Sequence, residues 1–205
     1  MLKIDSIAAI RAGVTLRGRD ATRPVLGGPI RLVRIGDISR EGRIAPEGVI
    51  QIRPAESIGA DVFLRPGDVL VAARGTRNTA AVYNLNLPGA IAGAQFFVLR
   101  PKGHVLPEFI AWYLRSDPVR LHFDNRRKGT HVQLIQRADI AEIEIPLPPM
   151  NVQRRIVALA DLIEREHTLS TRLADLRCRY QSQLLLRATR VPHRPSAHQP
   201  ILSSP

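Results

Sequence analysis

The stretch from Glu144 to Arg190 constrains this chain more than any other. It opens on Ile145-Pro146-Leu147-Pro148-Pro149, where each proline fixes its own φ and drives the preceding residue toward extended backbone. From Asn151 to Val191 there is then no glycine or proline. A helix of about 40 residues is about 60 Å long, whereas a globular part of about 145 residues is about 30 Å across. The pattern predicts an α+β globular part over 1–148, a long helical arm over 149–190, and a disordered Pro- and Ser-rich tail over 191–205.

The arm carries a heptad pattern. With Leu159 at position a, the a/d series runs Leu159, Leu162, Glu166, Leu169, Leu173, Leu176, Tyr180 and Gln183. Most of these are apolar or aromatic, which suits a seam against a second helix, and the two polar positions would set its register. Ile156, Ala160 and Ile163 form a separate stripe that suits packing back on the globular part. Periodicity does not name the partner, so a helix folded onto its own domain stays open beside a coiled-coil arm.

Charge is the strongest compositional signal. Lys and Arg number 30 against 18 Asp and Glu, a net charge of +12, and only Lys3, Lys102 and Lys128 are lysines. Arginine presents a planar fork of donors that matches phosphate and guanine edges. GC-rich coding sequence also raises arginine, but it accounts for the choice of Arg over Lys better than for the excess of base over acid. The balance favours a polyanionic partner. No apolar run reaches the length of about 18 residues that a membrane span needs. The start, MLKIDSIAAIRAG, lacks the apolar core of a secretion signal. Cys178 is the single cysteine, so an internal disulfide is ruled out. These features point to the cytoplasm.

Along the chain, Ile30 to Ile38 alternates apolar and polar and reads as a half-buried strand. Val49–Ile52 is a second short strand. The turn Pro66-Gly67-Asp68 feeds Val69–Ala73, an apolar run expected to be a buried central strand. Ala80–Tyr83 and Gln95–Leu99 follow as further strands. Pro107 suits the first turn of a helix through Leu114, and Asp117-Pro118 starts another that uses Val119, Leu121 and Phe123. Tyr83, Trp112 and Tyr113 read as core packing.

Catalytic signatures are missing. No G-x-G, G-K-[ST] or G-x-S-x-G pattern occurs, and one cysteine excludes a zinc cluster. No lysine has an acid two residues before it, the arrangement common in metal-dependent nucleases. The six histidines (His104, His122, His131, His167, His193 and His198) have no H-E-x-x-H grouping and read as structural or solvated. Neither an enzyme activity nor a cofactor is expected.

An ordered series of short motifs carries a family resemblance. It runs Arg34-Ile35-Gly36-Asp37-Ile38, Arg65-Pro66-Gly67-Asp68-Val69-Leu70-Val71, Arg74-Gly75-Thr76, and Ala90-Ile91-Ala92 with Phe96-Phe97-Val98-Leu99-Arg100-Pro101. Trp112-Tyr113-Leu114, Lys128-Gly129-Thr130, and Ile145-Pro146-Leu147-Pro148-Pro149 with Gln153-Arg154-Arg155-Ile156-Val157 complete it. The series covers the chain to about residue 188 and resembles the target recognition domain and adjoining helix of a Type I restriction-modification specificity subunit. The resemblance implies a non-catalytic subunit that reads one half of a split target in double-stranded DNA. It implies partners too: DNA methyltransferase subunits, docked on the helical arm, and a restriction subunit in the full complex. Family members have two recognition domains and two helical regions, whereas this chain has one of each. A half-subunit would restore the split site as a homodimer with antiparallel arms; a truncated remnant is the other reading. An interaction protein that uses only its arm, with a decayed recognition domain, is the competing function.

DNA reading needs exposed side chains that combine phosphate clamps with base-edge readers. The first candidates are Arg74, Thr76, Arg77 and Asn78, since arginine takes guanine O6 and N7 together and asparagine takes adenine N6 and N7. Arg126, Arg127, Lys128, Thr130, His131 and Gln133 form a second group. Arg17, Arg19 and Arg23 form a third. Leu159, Leu162, Leu169, Leu173, Leu176 and Tyr180 are the expected dimer or partner interface.

Overall fold

The computed structural model describes residues 1–18, 22–39, 41–73, 79–126 and 135–189, with side chains throughout except at 124–126. The chain is α+β and divides into two compact units, Met1–Asp161 and Leu162–Pro205. The elements of the first unit begin with β1 (Leu2–Lys3), α1 (Ile4–Ile7), β2 (Ala8–Ala12), β3 (Ile30–Val33) and β4 (Ile50–Ile52). β5 (Asp68–Ala72), β6 (Ala80–Tyr83), β7 (Ala90–Ala92) and β8 (Phe96–Pro101) follow. Then come α2 (Pro107–Leu114), α3 (Asp117–Arg126), α4 (Arg137–Ala141), β9 (Glu144–Ile145) and the long α5 (Met150–Ala188).

An antiparallel sheet in the order β2-β8-β5-β6 is the frame of this unit. A second sheet, β4-β3-β7, pairs β3 antiparallel to β4 and parallel to β7. β5 is buried at every residue, because both of its faces are covered. Val69 and Val71 pack in the cluster that holds Phe109, Ile110 and Leu114 of α2, while Leu70 and Ala72 pack with Val33, Ala90 and Ala92 of the second sheet. A strand covered on both faces needs no polar alternation, which is why this run reads as continuously apolar. Ile30, Leu32, Ile52 and Ile91 form a third cluster on the remaining face of the second sheet.

The structure differs from the sequence reading at several places. The strand read over Ile30–Ile38 ends at Val33, and Ile35–Asp37 is a 3₁₀ turn. Asp37 is the cause: its Oδ2 accepts from Arg34 N at 2.7 Å, and Arg34 Nη2 donates to Oδ1 at 3.1 Å. In α3, Val119 and Phe123, four apart, face the core, whereas Leu121 is exposed. Tyr83 is buried, but Trp112 and Tyr113 are only half-buried and line an open apolar cleft with Met1, Pro146, Leu147 and Pro148.

A buried glutamine fastens the start of α5 to the first unit. Gln153, 1% exposed, accepts from Leu106 N at Oε1 (2.9 Å) and donates from Nε2 to Pro148 O (2.9 Å) and His104 O (3.2 Å). The proline run thus ends where a side chain one turn into the helix reaches back to hold it. Ile156 and Val157 pack beside it against the main core, whereas Ile163 of the expected stripe is exposed. Helix residues 165–188 are exposed throughout.

Candidate nucleic-acid interface

Arg74, Thr76, Arg77, Asn78, Arg127, Lys128, Thr130, His131, Gln133 and Arg19 lie outside the described residues, as does the side chain of Arg126. Residues that flank these segments are described, and Ala73, Thr79 and Ile135 lie at one end of the four-stranded sheet. Val71 of β5 pairs with Ala80 of β6, and Ala72 N donates to Thr79 O at 2.9 Å, so residues 74–78 link two adjacent strands. Ala73 continues the network sideways. Its N–H donates to Gln95 O at 2.7 Å, and its carbonyl accepts from Ile135 N at 2.9 Å. Ile135 is the residue with which the second candidate segment, 127–134, rejoins the described chain. One residue therefore ties the beginning of the first segment to the end of the second, although about 60 positions separate them in sequence. Ala73 and Ile135 are both buried, so the junction is part of the core.

β2 leaves the same sheet end. Ala12 pairs with Phe97, Gly13 N donates to Phe96 O at 2.8 Å, and Val14 N donates to Ala92 O at 2.8 Å. Gly13 is required at this crossing, because a Cβ there would collide with the Gly93 carbonyl oxygen. Beyond it the third candidate group diverges. Arg17 is exposed and lines a shallow cleft of about 170 Å³ with Thr15, Pro54, Glu56 and Ser57. Arg23 is exposed near Val25, whose N–H donates to Gln51 O of β4 at 2.8 Å. The fold thus joins Ala73 to Ile135, and it sets Arg17 and Arg23 beside the second sheet.

The sheet is braced by charges that the sequence reading did not pair. Asp68, 1% exposed, accepts from Arg100 Nε at 2.8 Å and Arg100 Nη2 at 2.7 Å, and from Arg65 N at 2.9 Å. Its carboxylate raises the pKa of the Arg100 guanidinium. Arg11 on β2 donates to Val62 O at 2.9 Å; burial lowers its pKa, against the attraction of Asp68. These arginines brace the sheet from within the fold. Among the described residues, no group of three or more His, Cys, Asp or Glu is placed to hold a metal ion, and no helix is long and apolar enough to cross a membrane.

On α5 the seam residues Leu159, Leu162, Leu169, Leu173, Leu176 and Tyr180 are all exposed, from 48% at Leu173 to 66% at Leu169. Ile163 and Leu184 to Leu186 add to this apolar surface. Exposed apolar patches larger than a few hundred Å² commonly mark association surfaces.

Residues 58–174 match the Type I restriction modification DNA specificity domain. No curated protein matches the chain. Among solved structures, the HsdS subunit from Thermoanaerobacter tengcongensis is 22% identical with a TM-score of 0.60, over 84% of this chain and 39% of that one. A chain from a study of complex assembly and conformational transition of the type I R-M system is 22% identical with a TM-score of 0.65, over 91% and 43%. The Type-I restriction-modification system S subunit from M. genitalium is 18% identical with a TM-score of 0.51, over 83% and 40%. The chain spans about two fifths of the length of these solved chains. With more than half of its residues matched, this chain belongs to the Type I restriction modification DNA specificity domain family.

Proposed function

We propose that the chain is a DNA sequence-recognition subunit of a Type I restriction-modification system. It reads one half of a split target in duplex DNA and has no catalytic centre. DNA methyltransferase subunits, and a restriction subunit in the full complex, supply the chemistry. The observation that carries this reading is the bond between Ala73 O and Ile135 N. It draws together the roots of two segments that combine arginine with Thr, Asn, His and Gln, the mixture needed to clamp phosphate and read base edges. The net charge of +12 supports a polyanionic partner. The exposed apolar face of α5 supports pairing with a second copy, which supplies the other half-site and makes the target palindromic.

Fluorescence anisotropy of labelled duplexes tests this. Affinity falls steeply as salt rises, because counterions are released from phosphates. Once a preferred target is known, Arg77→Ala loses about 1–3 kcal/mol of preference at a single base position, while Lys128→Ala weakens every sequence alike. Equal losses on all sequences from both changes would refute the assignment of Arg77 to base reading. Self-association with no duplex binding even at low salt would instead support a scaffold that uses only its helix.

A further inference from the structure

Several arginines of the first unit are engaged by the fold. Arg34 pairs with Asp37, Arg43 with Asp161, Arg100 with Asp68 and Arg120 with Asp117, and Arg11 donates to Val62 O. Arg137, the first residue of α4, differs from these. It is exposed, and its Nε donates to Ile10 O at 3.2 Å. Among the described residues, its Nη1 and Nη2 have neither a hydrogen-bond partner nor a carboxylate. We propose that Arg137 is a fixed clamp for a backbone phosphate of duplex DNA. This rests on the recognition reading above and adds a contact residue outside the three candidate groups.

The position of Arg137 is set from three sides. Just before it, Ile135 N donates to Ala73 O, and Ala73 N donates to Gln95 O, so α4 begins beside the end of the four-stranded sheet. Gln136 N donates to Asp139 Oδ2 at 2.8 Å, which closes the first turn of α4 and turns the Asp139 carboxylate back onto the helix start. Finally, Arg137 Nε reaches Ile10 O on β2, an edge strand of that sheet, close to where β2 ends at Ala12.

With Nε bound, the amino groups at Nη1 and Nη2 remain. One N–H of each points the same way, and together they match two oxygens of a phosphate. A side chain already held by one bond has less rotamer freedom to lose on binding than a free arginine. The plainer role for Arg137 is to cover the Ile10 carbonyl at an open sheet edge. That role needs a single donor, and the donor need carry no charge. An exposed guanidinium with its outer fork empty suits an anion instead. A phosphate clamp fixes where the duplex lies without reading its sequence, so this residue complements base-edge readers.

Salt titration of binding to a random-sequence duplex tests this in the full-length chain. Arg137→Gln removes the charge and keeps an amide donor, so the slope of log affinity against log salt should fall by about 0.9, the share of one phosphate contact. Arg137→Lys keeps the charge and should keep the slope. Arg43→Gln, taken from an arginine that already pairs with Asp161, is the control and should leave the slope unchanged. Melting temperatures show that each variant is folded; if Arg137→Gln is not, Arg137→Met retains the aliphatic stem and gives the same readout. A slope for the neutral variant equal to that of the unaltered chain would overturn the proposal. So would an equal drop in Arg137→Lys or in the Arg43→Gln control. The two readings fail differently: steep salt dependence that survives loss of the Arg137 charge sinks the clamp alone, whereas an unaltered chain that binds no duplex even at low salt sinks recognition and the clamp with it.

Discussion

Gln153→Met offers the clearest test of how the helix is fastened. The substitution nearly conserves side-chain volume, so no large cavity is expected and the loss comes from hydrogen bonds. Leu106 N loses its acceptor, and the carbonyls of Pro148 and His104 lose their donor. Each bond is worth about 1 kcal/mol net, and an unpaired donor in the interior costs about 1–3 kcal/mol. His104 is exposed, so its carbonyl recovers water, while the half-buried Leu106 and Pro148 recover less. The sum is about 3 kcal/mol. For a unit of this size, 1 kcal/mol shifts the melting temperature by about 2–4 °C, so Gln153→Met should melt about 6–12 °C lower. Near-ultraviolet circular dichroism is the right assay. Trp112, half-buried in α2 next to this joint, reports on the first unit, whereas the long helix dominates the far-ultraviolet signal. Gln153→Glu should be worse than Met near neutral pH, since its carboxylate faces two carbonyl oxygens, and should recover in acid on protonation. A shift below about 2 °C for Gln153→Met would show that the three bonds do not hold the joint, and the argument would fail.

Two further predictions concern the first unit. Asp68→Ala removes a buried carboxylate from Arg100 and from Arg65 N, and should cost about 3–5 kcal/mol in urea unfolding, with Asp68→Asn losing less; a loss below about 1 kcal/mol would mean that Arg100 is satisfied by solvent. Burial raises the pKa of both Tyr83 and Tyr113 above the usual 10, with opposing or added contributions from Leu87 and Glu144. The folded state then holds these protons where the unfolded chain releases them, so stability is retained up to about pH 10 and falls as pH rises through the folded-state values. Absorbance at the tyrosinate band should show a late-titrating portion that Tyr83→Phe and Tyr113→Phe each reduce; a titration unchanged by either would contradict this.

What the sequence made legible was whatever leaves a local pattern. The long helix follows from an absence of Gly and Pro together with a heptad repeat, and β5 follows from an apolar run after a Pro-Gly turn. Features that depend on distant partners left no such mark. β1 is two residues long and exists through Leu2 pairing with Ile145 at the far end of the unit. β2 reads as an unremarkable mix of Ala, Ile and Arg until β8 pairs with it. Arg34 and Asp37 were visible as neighbours, but only the structure shows their side chains closing a turn that cuts a strand short. Gln153 belonged to a recognisable junction, and nothing local in the sequence says that a glutamine on a charged helix is buried.

The candidate DNA-reading segments illustrate the same division at the level of function. Their chemistry was readable, since Arg, Asn, Thr, His and Gln cluster twice in the chain. The bond between their flanking residues was not, because it is made by Ala73 and Ile135, residues with no polar side chain at all. The described bonds at this sheet end, through Ala72, Ala73, Thr79, Gln95 and Ile135, are all between backbone groups. Such bonds ask only for a non-proline donor and a carbonyl. On the proposed function, support and reading would be carried by different atoms. The described bonds at the roots of 74–78 and 127–134 use no side chain. On that proposal, substitution within 74–78 and 127–134 would alter the target while the sheets, the buried Asp68–Arg100 pair and the Gln153 joint stay as they are.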